Sequence, residues 1–227
     1  MRLPVYFTGV RTYFAVTTAL AVFVVLLLIR PDSAGVAEAT VFLELLTPLP
    51  LLLVSAGLLQ RDSALSLIAA CQVNLNSLLL ARWALGLTGA LIVPVGAQGA
   101  LAVVHADANL NVLTWLAPTA FLSGLGMAGA AVTASSGPGI GVALVYWAVS
   151  LLATPVLQDA CAGVLPAPCT AALWSSAYGL IAATGPGWVM NRVVLLLGAL
   201  VLLNVAAYAY RNPERQVRAT ASPEATT

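Results

Sequence analysis

No lysine occurs among the 227 residues of this chain: all nine of its basic residues are arginine, and His105 is its single histidine. Without lysine there is no phosphate-binding loop of the G-x-x-x-x-G-K-S/T kind, whose lysine must reach the terminal phosphates of a nucleotide. The chain therefore brings no ATPase motif of its own. The same absence removes a Schiff base to retinal or to an aldehyde cofactor, and one histidine cannot supply the paired axial ligands of a two-haem bundle. Charge of either sign is scarce, at 7% of residues against roughly 25% in soluble domains. No catalytic, metal-binding or cofactor-binding constellation emerges, and no nucleic-acid partner is implied.

What replaces charge is hydrocarbon. Hydrophobic residues make up 61% of the chain and its mean hydropathy is +0.98, the composition of an integral membrane protein. A spanning helix needs about 20 mostly apolar residues. Runs of that kind cover 12–29, 39–59, 83–104, 112–134 and 188–210, with a shorter one at 140–157. The expectation is an all-α protein of six transmembrane helices. The first run, "FAVTTALAVFVVLLLI", is longer than the apolar core of a cleavable signal peptide, and "RPDSAG" after it lacks a small-x-small site, so it is expected to remain as a span.

Arginines orient the six spans. With the N-terminus cytoplasmic, Arg2, Arg11, Arg61, Arg82, Arg211, Arg215 and Arg218 fall inside, against Arg30 and Arg192 outside, as the positive-inside rule requires. Counting "TAALWSSAYGLIAATGP" (170–186) as a seventh span would leave five inside and four outside. That stretch is short, carries Trp174 and Tyr178 and ends in Gly185-Pro186-Gly187, so 158–187 is read as an outer re-entrant or interfacial segment. Both termini are then cytoplasmic in an inner or plasma membrane, expected to be bacterial. Residues 1–218 form a single transmembrane domain, and 219–227 a disordered tail.

Polar residues inside this apolar chain are the candidates for function. Glu44 lies in the second span just before "TPLP". An ionisable group there is either wetted near the outer headgroups, on a helix loosened by Pro48 and Pro50, or a proton or cation relay or a partner for Arg192. Cys161 and Cys169 share the outer loop "QDACAGVLPAPC", where a disulfide and two free thiols both remain open. Glycine- and alanine-rich runs such as "SGLGMAGAAVTASSGPGIG" let helices approach closely. Ser123, Ser135 and Ser136 do not make a serine protease, because His105, the only base available, falls in an outer loop while Ser135 and Ser136 fall at the inner end of their span.

The densest polar interval is "LLQRDSALSLIAACQVNLNSLLLARW" (58–83). Leu67, Ile68, Leu75, Leu78 and Leu79 share one helical face, with Asp62, Ser63, Ser66, Asn74 and Ser77 towards the other. Such a segment either lies in the inner interface and closes the bundle or docks a cytoplasmic partner.

The arrangement resembles the membrane subunits of the type-2 family of ATP-binding-cassette (ABC) transporters. They have six spans with both ends inside, a cytoplasmic coupling segment between spans two and three, and a partly inserted outer helical pair before span six. The local text is similar: Asp62, then Ser63-Ala64 and Leu65, then Gln72-Val73-Asn74 and "LLLAR" ending at Arg82 stand where the family has an acidic residue, a small pair and Leu, a Pro-Val-Ser-like turn and an apolar run ending in Arg. The family's frequent Gly-Thr is Ser63-Ala64 in this chain, and its Pro is Gln72. Asn191-Arg192 opens the last span and Arg211 to Arg215 close it in the same way.

The resemblance implies that residues 60–82 form the coupling segment, with Arg61, Asp62, Ser63, Leu65, Ser66 and Ile68 touching a separate ATPase subunit. It implies two such ATPases, which bind the ATP, and a second permease chain, identical or homologous. It also implies an export path between the permeases, faced by Glu44, Thr47, Tyr146 and Trp147. Two other readings stand beside this permease: an ion- or proton-coupled carrier using Glu44, and a non-transporting scaffold or assembly factor.

Overall fold

The computed structural model describes residues 45–56, 75–104, 111–161 and 186–211. Five helices occupy them: α1 (Pro48–Ser55), α2 (Leu75–Val104), α3 (Leu113–Thr133), α4 (Ser136–Cys161) and α5 (Pro186–Ala209). No strand occurs among the described residues. Four segments, Asn76–Gly96, Leu113–Thr133, Ser136–Ala153 and Trp188–Ala209, are long and apolar enough to cross a membrane. They correspond to the runs expected at 83–104, 112–134, 140–157 and 188–210. α1 lies within the expected span 39–59.

Helix starts differ from the sequence expectation in two places. α2 begins at Leu75 and runs 30 residues without interruption, so that 75–82, read as the end of the coupling segment, are its first two turns. A charge such as Arg82 ends an apolar run but breaks no backbone hydrogen bond, and neither Gly nor Pro lies between 75 and 82. At about 1.5 Å per residue α2 is about 45 Å long, well beyond a hydrocarbon core of about 30 Å. α4 likewise starts four residues ahead of the expected 140, at Ser136.

α3 is the central helix, packing extensively on α4, α5 and α1. Small residues make this contact close. Gly129 faces Gly139 of α4 so tightly that a Cβ on Gly129 would come within 3.0 Å of the Gly139 Cα, and Gly124 lies against Ala199 and Leu202 of α5. Lipid tails are as apolar as the side chains they surround, so association rests on such van der Waals contact and not on removal of water. The α3–α4 turn is a left-handed cap at Ala134, φ 55°, whose N–H donates to the Ala130 carbonyl, a conformation usually given to Gly because a Cβ costs about 1–2 kcal/mol there. The Ser135 N–H donates to the same carbonyl, at 3.2 Å.

Contacts fix the direction of every helix. Phe121 meets Gly198 and Gly124 meets Leu202, so α3 and α5 run parallel; Gly129 meets Gly139 and Gly126 meets Ala143, so α4 runs antiparallel to α3. Trp83 reaches Ser123 while Leu79 clusters with Met127, so α2 also opposes α3. Leu51 of α1 meets Gly86 of α2, and Ser55 reaches Ser123 beside Trp83. α1, α3 and α5 thus point one way, α2 and α4 the other. At one end Leu79, Ala131, Ala206 and Tyr210 form a single cluster, which sets Arg82, the α3–α4 turn and Arg211 at the same end.

Gly139 is the tightest point of the bundle: a Cβ there would run into the Gly126 carbonyl oxygen and come within 2.6 Å of Ala130 N. Gly139→Ala is expected to lower stability by about 1–3 kcal/mol. Gly141→Ala, with nothing within 4 Å, is expected to be neutral or to gain up to about 1 kcal/mol from helix propensity. Thermal unfolding of both variants in one detergent checks the pair.

Candidate functional site

At Thr47 the backbone of the second span stays right-handed helical, φ −57° and ψ −37°, while Pro48, which opens α1, and Pro50 interrupt its hydrogen-bond ladder. Proline has no N–H, so Pro50 cannot donate to the Leu46 carbonyl, four residues back. The neighbouring Leu45 carbonyl accepts a hydrogen bond from the indole Nε1 of Trp147 on α4, at 3.1 Å. Beside it the Tyr146 ring stacks on Phe121, centroids 5.3 Å apart and tilted 51°, and its hydroxyl pairs with Ser150 one turn on. Thr47 is buried and its Oγ1 has no hydrogen-bond partner among the described residues. Tyr146 and Trp147, two of the four residues expected to face a path, pack in one region centred on Leu52, Leu122 and Ala143 that also takes in Leu45, two residues before Thr47. Glu44 lies outside the described residues.

Deeper along α3, a hydrogen-bonded tie joins three helices. Trp83 Nε1 of α2 donates to Ser123 Oγ at 3.0 Å, and Ser123 Oγ donates to the Ala120 carbonyl at 3.0 Å. Ser55 Oγ of α1 lies 3.0 Å from both the Ser123 and the Leu52 carbonyls. Ser123 is fully buried, its hydroxyl engaged on both sides, and it serves as a fastener. Sequence reading passed over this tie, because a Trp and two Ser on separate apolar runs carry no spacing that relates them.

A third group stands towards the other end. Asn191 and Arg192 of α5 are both fully buried, and the Arg192 guanidinium carbon lies 5.3 Å from the Trp188 ring. The register that sets Phe121 against Gly198 brings Trp115 of α3 level with Arg192. Sequence reading placed Arg192 among the outer charges; the structure turns its side chain into the bundle. Near the start of a spanning helix a guanidinium held away from water costs less than the about 2.5–3.5 kcal/mol of the helix centre, and the face of an indole recovers part of that through its quadrupole. The signal available in the sequence was position: Arg192 falls four residues inside an apolar run, where an ionisable group marks function or a specific partner.

No protein-family model, no curated protein and no solved structure matches this chain. Its chemistry is therefore read from the residues alone. Among the described residues no group of three His, Cys, Asp or Glu side chains comes together. What is present is a proline pair beside a buried hydroxyl, an interhelical tie and a buried guanidinium. Arg61, Asp62, Ser63, Leu65, Ser66 and Ile68 lie outside the described residues, as does Cys169. Cys161 is the last residue of α4.

If the Trp83–Ser123 bond fastens α2 to α3, the two residues must be energetically coupled. Ser123→Ala and Trp83→Phe are each expected to destabilise by about 1 kcal/mol, the scale of one interhelical hydrogen bond in a membrane. The double variant should lose less than the sum of the two, giving a coupling of about 0.5–1.5 kcal/mol in a double-mutant cycle.

Proposed function

We propose that this chain is the permease subunit of an ABC exporter of the type-2 family, forming a membrane path with a second permease chain and driven by two separate ATPase subunits. The observation that carries this reading is the common end of the bundle. α1 runs towards that end and α2 starts there at Leu75, beside Arg82, the α3–α4 turn and Arg211. A concentration of arginine identifies a cytoplasmic face. In this reading the 57–74 connection, with its Arg61-Asp62 and its moderately amphipathic pattern, joins two helices at the face an ATPase reaches from the cytoplasm.

In this reading the polar face of the connection seats in a cleft of the ATPase, and closure of the two ATPases on ATP tilts the bundle. α2 suits that task, because its first turns are continuous with the span as far as Pro94, which removes one backbone hydrogen bond further along. Thr47 on the second span and Tyr146 and Trp147 on α4 are the path-side residues expected to shift as α1 and α4 move. An exposed pair involving Arg61 or Asp62 contributes only about 0–1 kcal/mol, so Leu65 and Ile68 share the docking.

A second reading is an ion- or proton-coupled carrier. The buried Thr47 hydroxyl beside Pro48 and Pro50 supports it, since a spanning helix with missing backbone hydrogen bonds can present oxygens to cations, and Glu44 supplies the carboxylate. The two readings separate by mutation. On the permease reading, Asp62→Arg and Leu65→Asp each abolish capture of an ATPase chain from mild detergent while leaving the protein inserted and folded, and Glu44→Gln leaves that capture intact. Unchanged ATPase capture and transport in both coupling-segment variants would sink the permease assignment.

A further inference from the structure

α2 is held along only part of its length. Leu79 packs with Met127, Leu203 and Ala206, Trp83 donates to Ser123, Gly86 meets Leu51, and Ala90 shares a buried cluster with Leu51. Ala90 is the last of these anchors. The residue four positions on, whose N–H would reach the Ala90 carbonyl, is Pro94; proline has no N–H, and its ring crowds the carbonyl it faces. The hydrogen-bond ladder is therefore open one turn past the final anchor. Gly96 follows, and unlike Gly129 and Gly139 it serves no close approach, since nothing lies within 4 Å of where its Cβ would stand. What it gives this turn is backbone freedom. α3 also carries a proline, Pro118, but between Trp115 and Leu122, which the bundle buries, so the missing bond there leaves the helix clamped.

The register of the bundle puts the weak turn of α2 at its end. Trp83 against Ser123 and Leu79 against Met127 set Pro94 level with Val112, where α3 is capped. The spanning segment of α2 closes at the same level, at Gly96. Residues 95–104, "VGAQGALAVV", thus continue for about 15 Å past the start of α3. A kink at a helix-interior proline opens the side that carries the ring, because ring and carbonyl move apart there. Ala90, Pro94 and Gln98, four residues apart, share one face, and all three are buried, Gln98 being 9% exposed. Opening that face tips the segment beyond it away from the bundle.

We propose that residues 95–104 are a hinged leaf, pivoting at Pro94 and Gly96, on the end of the bundle opposite Arg211. In the continuous helix the leaf is closed and Gln98 is covered. Bent, it leans towards the lipid, Gln98 comes free, and the end at which Trp115 and Arg192 stand is opened. The part of α2 fastened at Leu79, Trp83, Gly86 and Ala90 does not move with it. This inference rests on the geometry of α2 and not on the permease reading, because a carrier driven by an ion would use the same leaf.

The test is a distance measurement by double electron–electron resonance between spin labels on the full chain in lipid nanodiscs, with the three native cysteines replaced by serine. Ala81 and Gly99, both exposed, lie about five turns apart on the face away from Pro94, about 27 Å in a straight helix. Met190 and Tyr208 of α5, also exposed, have the same spacing with no proline between them and serve as the rigid standard. Labels at Ala81→Cys and Gly99→Cys are expected to give a second, shorter distance beside the straight one, because the bend is concave on their side. Labels at Met190→Cys and Tyr208→Cys are expected to give a single narrow peak. Pro94→Ala is expected to remove the short component and Gly96→Ala to reduce it. The proposal is overturned if the α2 pair is as narrow as the α5 pair, if its second component is longer than the straight distance, or if neither Pro94→Ala nor Gly96→Ala narrows it.

Discussion

The bundle depends on how closely α3 approaches its neighbours. In water, apolar helices associate because burying hydrocarbon is favourable; in lipid that gain is nearly absent, and contact between backbones takes its place. Gly129 of α3 and Gly139 of α4 lie where even a Cβ would press on the facing helix, and Gly124 and Gly126 lie where it would be in van der Waals contact with a neighbour. The contacts that fix helix direction and the cluster joining Leu79 to Tyr210 follow from those approaches. Even the unusual φ of Ala134 is tolerated because it turns α4 back onto α3 at once, while the helix pair is still in glycine-to-glycine contact.

Polar groups inside the bundle are held in two ways. Some are satisfied within their own helix, as when Thr119 Oγ1 donates to the Trp115 carbonyl at 2.6 Å, which removes a hydroxyl from the lipid at little conformational cost. Others are spent between helices: Trp83 on Ser123, Ser55 on the Ser123 carbonyl, Trp147 on the Leu45 carbonyl. The second kind gives the bundle its specificity, since in hydrocarbon a polar group that loses its partner finds no water to replace it. Arg192 is the extreme case, a guanidinium brought inside and set over the Trp188 ring.

Much of the architecture was legible in the linear text. Apolar runs of spanning length announced four of the five described helices to within a few residues at most ends, because the bilayer imposes a length. The early start of α2 was not legible: Arg82 interrupts hydropathy, while helix continuation is decided by the backbone, which has no Gly or Pro to stop it. Within the candidate site, Thr47 was legible as a polar residue beside a proline pair, whereas Tyr146 and Trp147 were singled out only through the family resemblance. The Ser123 fastener and the inward turn of Arg192 were not, since both depend on which residues of distant segments come level.

The sequence by itself determined that this protein is helical and lipid-solvated, that its cationic charge is arginine alone, and that a polar connection separates two apolar runs at residue 60. Those are consequences of composition and run length, which act on each segment independently of the others. Only the tertiary structure decided which faces turn inward, that Trp147 reaches the Leu45 carbonyl, and that Asn204 is exposed on α5. Helix rotation about its own axis is set by packing against a neighbour, and in a uniformly apolar helix, with almost no amphipathic signal to orient it, that neighbour is the only source of the information.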